Sequence, residues 1–293
     1  MINYNFLFFT ANLLDFSLKF TKSILKILIK LILWLSTIFL EIIMEKVEVS
    51  VVIPMYNAEK YIRETLDSVF NQTYKNYEVI VVNDCSKDNS LKIVEEYQKQ
   101  HKNLKIINNE QNLNVAESRN KGVREAKGEW IAFLDADDKW TENKLETQLN
   151  LVKENNSSLS YASYYFIDDD GNDLNKIFKV KPTVTYKKLL KQNIINMSTS
   201  LVKKDLCLKY PFKNPEVHED FIFWLSILKN ENVNPYGVQE CLAYLRLAKG
   251  SKSRNKFKSV KMTYKTYKKV GLNFFTAHYN LMFYIVKSLI KYR

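Results

Sequence analysis

Three carboxylates, Asp135, Asp137 and Asp138, follow an apolar run in the stretch "IAFLDADDKW" (131–140). Carboxylates two apart, where a strand passes into a loop, can converge on one hard cation. Mg2+ or Mn2+ takes one or two such ligands and fills its shell with water and substrate phosphates. The competing reading is a solvated turn in which Asp138 helps the next helix begin. Other polar groups carry comparable potential. In "PMYN" (54–57) Tyr56 can stack on a base, and in "NDCS" (83–86) Asp84 can accept hydrogen bonds from a nucleobase or sugar; each can also merely pack or cap. Arg119 has the charge and reach for a phosphate, against a surface ion pair. His218, Glu219 and Asp220 open the apolar stretch "HEDFIFWLSIL", where a helix dipole favours acids on structural grounds alone.

The elements that position these residues alternate. Apolar strands are expected at 47–53, 77–83, 104–109 and 129–135, with helices at 58–70, 89–100 and 115–126 between them. Thr141 reads as the N-cap of a further helix through "ENKLETQLNLV". Such alternation predicts a mainly parallel α/β sheet with helices on both faces. Ligands bind such sheets outside the carboxyl ends of the strands, and "PMYN", "NDCS" and "DADD" all fall at that edge. Beyond it, residues 159–168 alternate like a half-exposed antiparallel strand, 168–173 read as a turn and 196–206 as a strand entering a loop.

Composition narrows the function classes. Six glycines include no GxG pair, and Gly128 is followed by Glu129, so neither a dinucleotide fingerprint nor a P-loop is present. Cys85, Cys207 and Cys241 are odd in number and far apart, which suits buried, inert thiols in a reducing cytosolic compartment rather than a disulfide framework or zinc site. The net charge of +12 is concentrated after Glu240, the last acidic residue. Aromatic and aliphatic residues interleave with the lysines there ("FFTAHYNLMFYIVKSLIKYR"), a pattern that favours an anionic membrane surface over nucleic acid.

Residues 1–44 form a separate amphipathic segment: the charge-free run Leu31–Leu40 is shorter than the roughly 20 residues a span requires. At about 100° per residue, Asp15, Lys19, Lys22, Lys26, Lys30, Thr37 and Glu41 share one face, as in a helix lying in the membrane interface. A tilted span with snorkelling lysines and a non-native extension ahead of "MEKVEVSVVIP" are the other readings. The expected division is therefore 1–44 as membrane-interface helix, 45–256 as catalytic domain and 257–293 as basic, aromatic-rich helical tail.

Five segments, "VSVVIPMYNAEKYIRETLDSV", "VIVVNDCSKDNS", "NLNVAESRNKGVREAKGEWIAFLDADD", "HEDFIFWL" and "LAYLRLAKGSKSRNK", run in order over roughly 47–256 and together resemble the family-2 glycosyltransferases of the GT-A fold. The resemblance implies inverting transfer of a sugar from a nucleoside diphosphate donor, by family expectation UDP-linked. It implies that Pro54, Tyr56, Asn57 and Asp84 line the nucleoside pocket and that Asp135 reaches the ribose or metal. Asp137 would ligate Mg2+ or Mn2+ bridging the diphosphate, and Asp220, rather than Glu219, would be the general base. Two departures stand out: Asn114 occupies a loop position where many relatives have glycine, and Ala248 a position where many have a basic residue or histidine, which leaves Arg246 or Lys249 to meet the diphosphate. With the basic tail, the implied acceptor is a lipid-linked or cell-surface glycan at the cytoplasmic face of the membrane. A soluble acceptor keeps the same chemistry. A non-catalytic nucleotide-sugar or nucleic-acid binding protein is the alternative from another class, and the presence of Asp135, Asp137 and Asp220 argues against it.

Overall fold

A computed structural model describes residues 21–39, 46–213, 217–247 and 256–291, and the chain divides between Lys46 and Val47 into two units. In the first, α1 is a helix over residues 21–39 whose Lys22, Lys26 and Lys30 repeat at one-turn spacing beside exposed Ile27, Leu33 and Trp34. No helix among the described residues is long and apolar enough to cross a membrane. Asp15, Lys19 and Glu41, which complete the expected polar face, lie outside the described residues.

The second unit begins with β1 (Val49–Met55), α2 (Ile62–Phe70), β2 (Tyr77–Asn83), α3 (Ser90–Gln100), β3 (Leu104–Asn108), α4 (Asn114–Glu125) and β4 (Trp130–Phe133). These four strands run parallel in the order β3-β2-β1-β4. β1 and β2 are buried at every position, and their apolar residues alternate between two cores. Val51, Ile53, Val79 and Val81 pack toward α2 and α3, while Val52, Ile80 and Val82 pack toward α4 and the C-terminal helices. Helices on both faces explain why these strands lack a polar side. α4 lies close because Gly122 leaves room: a Cβ there would come within 2.4 Å of Val52 Cγ1.

The remainder extends the sheet with mixed directions. β5 (Lys139–Trp140), α5 (Lys144–Glu154), β6 (Leu159–Ile167), β7 (Asp173–Phe178) and the short helix α6 (Tyr186–Leu189) come first. A 3-10 turn (Met197–Thr199), β8 (Leu201–Lys203), α7 (Lys204–Lys209), α8 (Glu219–Asn230) and β9 (Tyr236–Arg246) follow. The order is β3-β2-β1-β4-β8-β6-β9-β5, with β7 beside β6. β6 is not the half-exposed strand that its alternation suggested. It runs antiparallel to β8 and parallel to β9, and only Tyr165 escapes full burial. Residues 196–206, expected as a strand and loop, instead make the 3-10 turn, three residues of β8 and the start of α7. α5 begins at Lys144, and Thr141, expected as its cap, donates its backbone N–H to the Leu242 carbonyl at 3.1 Å, continuing the β5–β9 pairing.

The last helices, α9 (Lys256–Lys269) and α10 (Phe274–Lys291), join the core rather than forming a separate tail. Tyr267 is fully buried, its hydroxyl donates to the Leu190 carbonyl, and the ring of Phe221 meets those of Tyr267 and Tyr284 at 6.0 and 5.7 Å.

Candidate active site

The carboxyl ends of β1 and β2 meet as expected. Pro54 is buried in β1 opposite Val82. Val52 accepts from Leu134 N on the β4 side, and residue 54 faces the same way just beyond the end of β4, so its missing N–H costs no ladder bond. Past the strand, Tyr56 is 51 % exposed and Asn57 turns the chain at φ 49°. Asn57 N donates to Ser86 Oγ (3.1 Å), Lys87 N to Asn57 Oδ1 (2.8 Å) and Asp84 N to the Met55 carbonyl (2.8 Å), lacing the two loops together.

Asp84 is buried, and its carboxylate accepts from Asn109 Nδ2, Leu113 N and Asn114 N, each at 2.8 Å. Those backbone donors are the orphan N–H groups at the start of α4, where the helix dipole also favours a negative charge. Asp84 therefore acts as the cap in this structure, and its offer to a base is limited by that duty. Asn114 adopts φ 75°, the left-handed conformation that its glycine-replacing position requires and that asparagine tolerates.

The "DADD" loop is tied from three directions. Thr65 Oγ1 on α2 lies 3.0 and 2.8 Å from the carbonyls of Ala136 and Asp138. Asp135 N donates to Ser198 Oγ at 3.1 Å, and the Ser198 hydroxyl donates to Asp138 Oδ2 at 2.5 Å. From β9, Arg246 N donates to Asp138 Oδ1 and its Nε to the Asp137 carbonyl, both at 2.9 Å.

Two arginines expected to meet phosphate are occupied within the chain. Arg119 is buried, with Nη2 2.7 Å from Asp135 Oδ1 and Nη1 3.5 Å from Glu219 Oε1. It is neither phosphate-facing nor part of a surface pair: it fixes the Asp135 carboxylate from beneath. The Arg246 guanidinium lies over the Tyr61 ring at 4.6 Å and donates to the carbonyls of Asp168 and Asp169 and to Glu64 Oε2, all at 3.1 Å, so it holds the loop while Arg246 also lines the cavity described below. Lys249 and Ala248 lie outside the described residues.

The three aspartates thereby differ. Asp138 is the innermost, and burial, then the charges of Asp137 and Asp135, push its carboxyl well above the ordinary range. Asp137 is raised to about 6, first by burial and then by Asp135. All three line a cavity of about 320 Å³, which Asp220 and Asn193 also line. Asp220 Oδ1 accepts from Phe221 N at 2.7 Å and Oδ2 from Asn193 Nδ2 at 2.8 Å, whereas Glu219 turns toward Arg119. Tyr164 and Phe166 from β6, and Tyr284 and Ile285 from α10, give the cavity apolar walls. Sequence reasoning missed Asn193, Thr65 and Ser198, which are uncharged and act through hydrogen bonds to residues far along the chain.

Asp135 and Asp137 suit a hard divalent cation, because both line the cavity and the Asp137 carboxylate, destabilised by burial, gains from a positive ion. No group of three or more His, Cys, Asp or Glu side chains that could hold a metal occurs among the described residues. Two carboxylates plus water and diphosphate oxygens is the arrangement Mg2+ or Mn2+ accepts.

Comparison with known proteins agrees with this fold. The sequence profile described as glycosyl transferase family 2 matches residues 50–202. TuaG of Bacillus subtilis (strain 168), named for teichuronic acid biosynthesis, is 36% identical over 246 residues, covering 84% of this chain and 97% of TuaG. The Escherichia coli protein WfgD, named as a UDP-Glc:alpha-D-GlcNAc-diphosphoundecaprenol beta-1,3-glucosyltransferase, is 37% identical over 245 residues, covering 83% of this chain and 94% of WfgD. Among solved structures, S. aureus TarS 1–349 in complex with UDP-GlcNAc superposes with TM-score 0.65 at 23% identity, over 80% of this chain and 70% of that one. The mannosyltransferase PcManGT of Pyrobaculum calidifontis, in complex with GDP-Man and Mn2+, gives 0.63 at 17%, over 83% and 72%. Both carry the same GT-A-type mixed α/β fold.

Proposed function

The chain belongs to glycosyl transferase family 2, and from that premise we propose that it transfers a sugar, with inversion, from a UDP-linked donor to a lipid-linked glycan in the building of a surface polysaccharide. The names of TuaG and WfgD support the polysaccharide context, and that of WfgD supports a UDP-sugar donor and a diphospho-polyprenol acceptor.

The observation that carries the reading is one cavity lined by two kinds of acid: Asp135 and Asp137 on the loop after β4, and Asp220 at the start of α8. Asp135 and Asp137 would hold Mg2+ or Mn2+, and the cation would supply positive charge against that building on the departing diphosphate. Tyr56 offers its exposed ring to the base, and Asn57, Pro54 and Asp84 shape the loops beneath it. Asp220 takes the proton of the acceptor hydroxyl as its oxygen bonds to the anomeric carbon; the bond to the diphosphate oxygen breaks in the same displacement. Asn193 keeps Asp220 oriented through the 2.8 Å bond to Oδ2, and Arg119 does the same for Asp135. The apolar walls exclude water that would otherwise compete with the acceptor.

A panel of nucleotide sugars with Mn2+ tests this, read both as donor turnover and as protection from thermal unfolding. A UDP-sugar is expected to protect the wild type and not Asp137→Ala. Equal protection of both variants by every donor would refute the assignment.

A further inference from the structure

We propose that the outward face of α10 is a docking surface for an anionic lipid bilayer and that this helix is the partition between the bilayer and the acceptor end of the cavity; the second part rests on the lipid-linked acceptor proposed above. Phe275, Tyr279, Met282, Phe283 and Val286 are 80, 55, 69, 39 and 56 % exposed. Their spacing puts them on one stripe about 100° wide, the width of a face that ordinarily packs against something. Ala277, Asn280, Leu281 and Tyr284 face the other way into the fold. A stripe of large apolar residues held open on a folded unit marks an interaction surface.

Charge identifies the occupant. The ammonium of Lys191 lies 4.6 Å from the centre of the Phe283 ring and 5.4 Å from that of Tyr279, at the margin of the stripe. On α9, exposed Lys261, Lys268 and Lys269 recur at helical spacing, and no acidic residue follows Glu240 anywhere in the chain. An apolar stripe with a lysine at its margin, on a pair of helices that carries lysines and no acids, matches a bilayer interface, where rings sink to the acyl boundary and ammonium groups meet lipid phosphates. A second copy is a poor match, since a two-fold contact would set these lysine-bearing helices against themselves with no acid on either α9 or α10 to neutralise them.

The opposite side of α10 gives the surface its purpose. Tyr284, Ile285 and Ser288 line the cavity that Asp137 and Asp220 also line. One helix, about 10 Å across, thus separates lipid from cavity. An acceptor whose polyprenyl chain stays in the bilayer need lift only its head group past that helix.

The test uses the full-length chain with Met282 replaced by dansylalanine, and a second chain labelled in the same way at Lys99 on α3. With phosphatidylcholine vesicles containing phosphatidylglycerol, dansyl emission at 282 is expected to shift to the blue and that at 99 to remain aqueous. Removing the anionic lipid is expected to weaken binding about tenfold or more. An aqueous signal at 282 while the chain sediments with vesicles would overturn the proposal, because attachment would then run through another segment such as residues 1–44. A blue shift without vesicles that grows with protein concentration would also overturn it, in favour of self-association. Phe275→Glu with Met282→Glu is expected to lower transfer to a vesicle-borne acceptor and to spare donor hydrolysis in solution. Loss of hydrolysis in the wild type as well points to failure of the enzymatic reading, with the vesicle result standing apart.

Discussion

Replacing Asp137 with asparagine is expected to stabilise the metal-free chain while removing its ability to use a donor. The Asp137 carboxyl moves from an ordinary 3.8 to about 6, through burial first and the Asp135 charge second. Because the folded-state value is raised, the folded chain binds this proton more tightly than the unfolded chain. The associated stability is complete below pH 3.8 and is lost as pH rises through about 6. At neutral pH the ionised group therefore carries a cost whose ceiling is about 3 kcal/mol. Asp137 keeps part of its surface exposed and solvent screening lowers this, so about 1–2 kcal/mol is the working figure. For a unit of this size that corresponds to a melting temperature about 2–8 °C higher for Asp137→Asn at pH 7.5 in EDTA. The difference is expected to close toward pH 4.5. With Mn2+ and a UDP-sugar the order should invert, since ligand stabilises only the wild type. Asp137→Asn melting at or below wild type in EDTA at pH 7.5 would contradict the view that this acid is held at a thermodynamic cost for function.

Three further outcomes follow from the packing. Lys144 is fully buried over the Trp140 ring at 4.0 Å, and burial holds its ammonium well below its usual pKa. The unfolded chain then binds the proton better and stability rises with pH up to about 10.5; Lys144→Met should gain about 1–3 kcal/mol near pH 6.5 in urea titration and flatten that slope. Asp84→Ala removes the acceptor of two α4 backbone N–H groups and should cost about 2 kcal/mol by the same titration, with weaker nucleotide binding. Gly122→Ala gains about 1 kcal/mol of helix propensity, yet its Cβ must displace Val52, so a net loss of about 1–2 kcal/mol is expected from the shift in denaturation midpoint.

What the sequence made legible was the part written in short periods. The strands at the "PMYN", "NDCS" and "DADD" motifs show in apolar runs of four to seven residues, and β2 falls at Tyr77–Asn83 as read. The roles of the acids there depend on partners far along the chain. Asp84 caps α4 about 30 residues on, and Arg119 reaches Glu219 across 100. A pattern read along the chain holds no trace of such pairings, so Asp84 read as either a base contact or a cap and Arg119 as either a phosphate ligand or a surface ion pair. β6 misled for a related reason: its polar positions suggested water, but Ser160 and Ser163 are satisfied within the fold by Gln148 of α5 and the Val238 carbonyl of β9. Asn193 carried no signal, because a single amide in an irregular segment has neither periodicity nor charge.

The central claim is that Asp220 removes the acceptor proton in a cavity where Asp135 and Asp137 face the donor. It is tested most directly by Asp220→Asn, which keeps the side-chain shape, assayed for both donor binding and transfer to a diphospho-polyprenol glycan. Protection by UDP-sugar and Mn2+ is expected to stay within about twofold of wild type while transfer falls about 10²–10⁴-fold. Transfer within a few-fold of wild type, with donor binding intact, would contradict it.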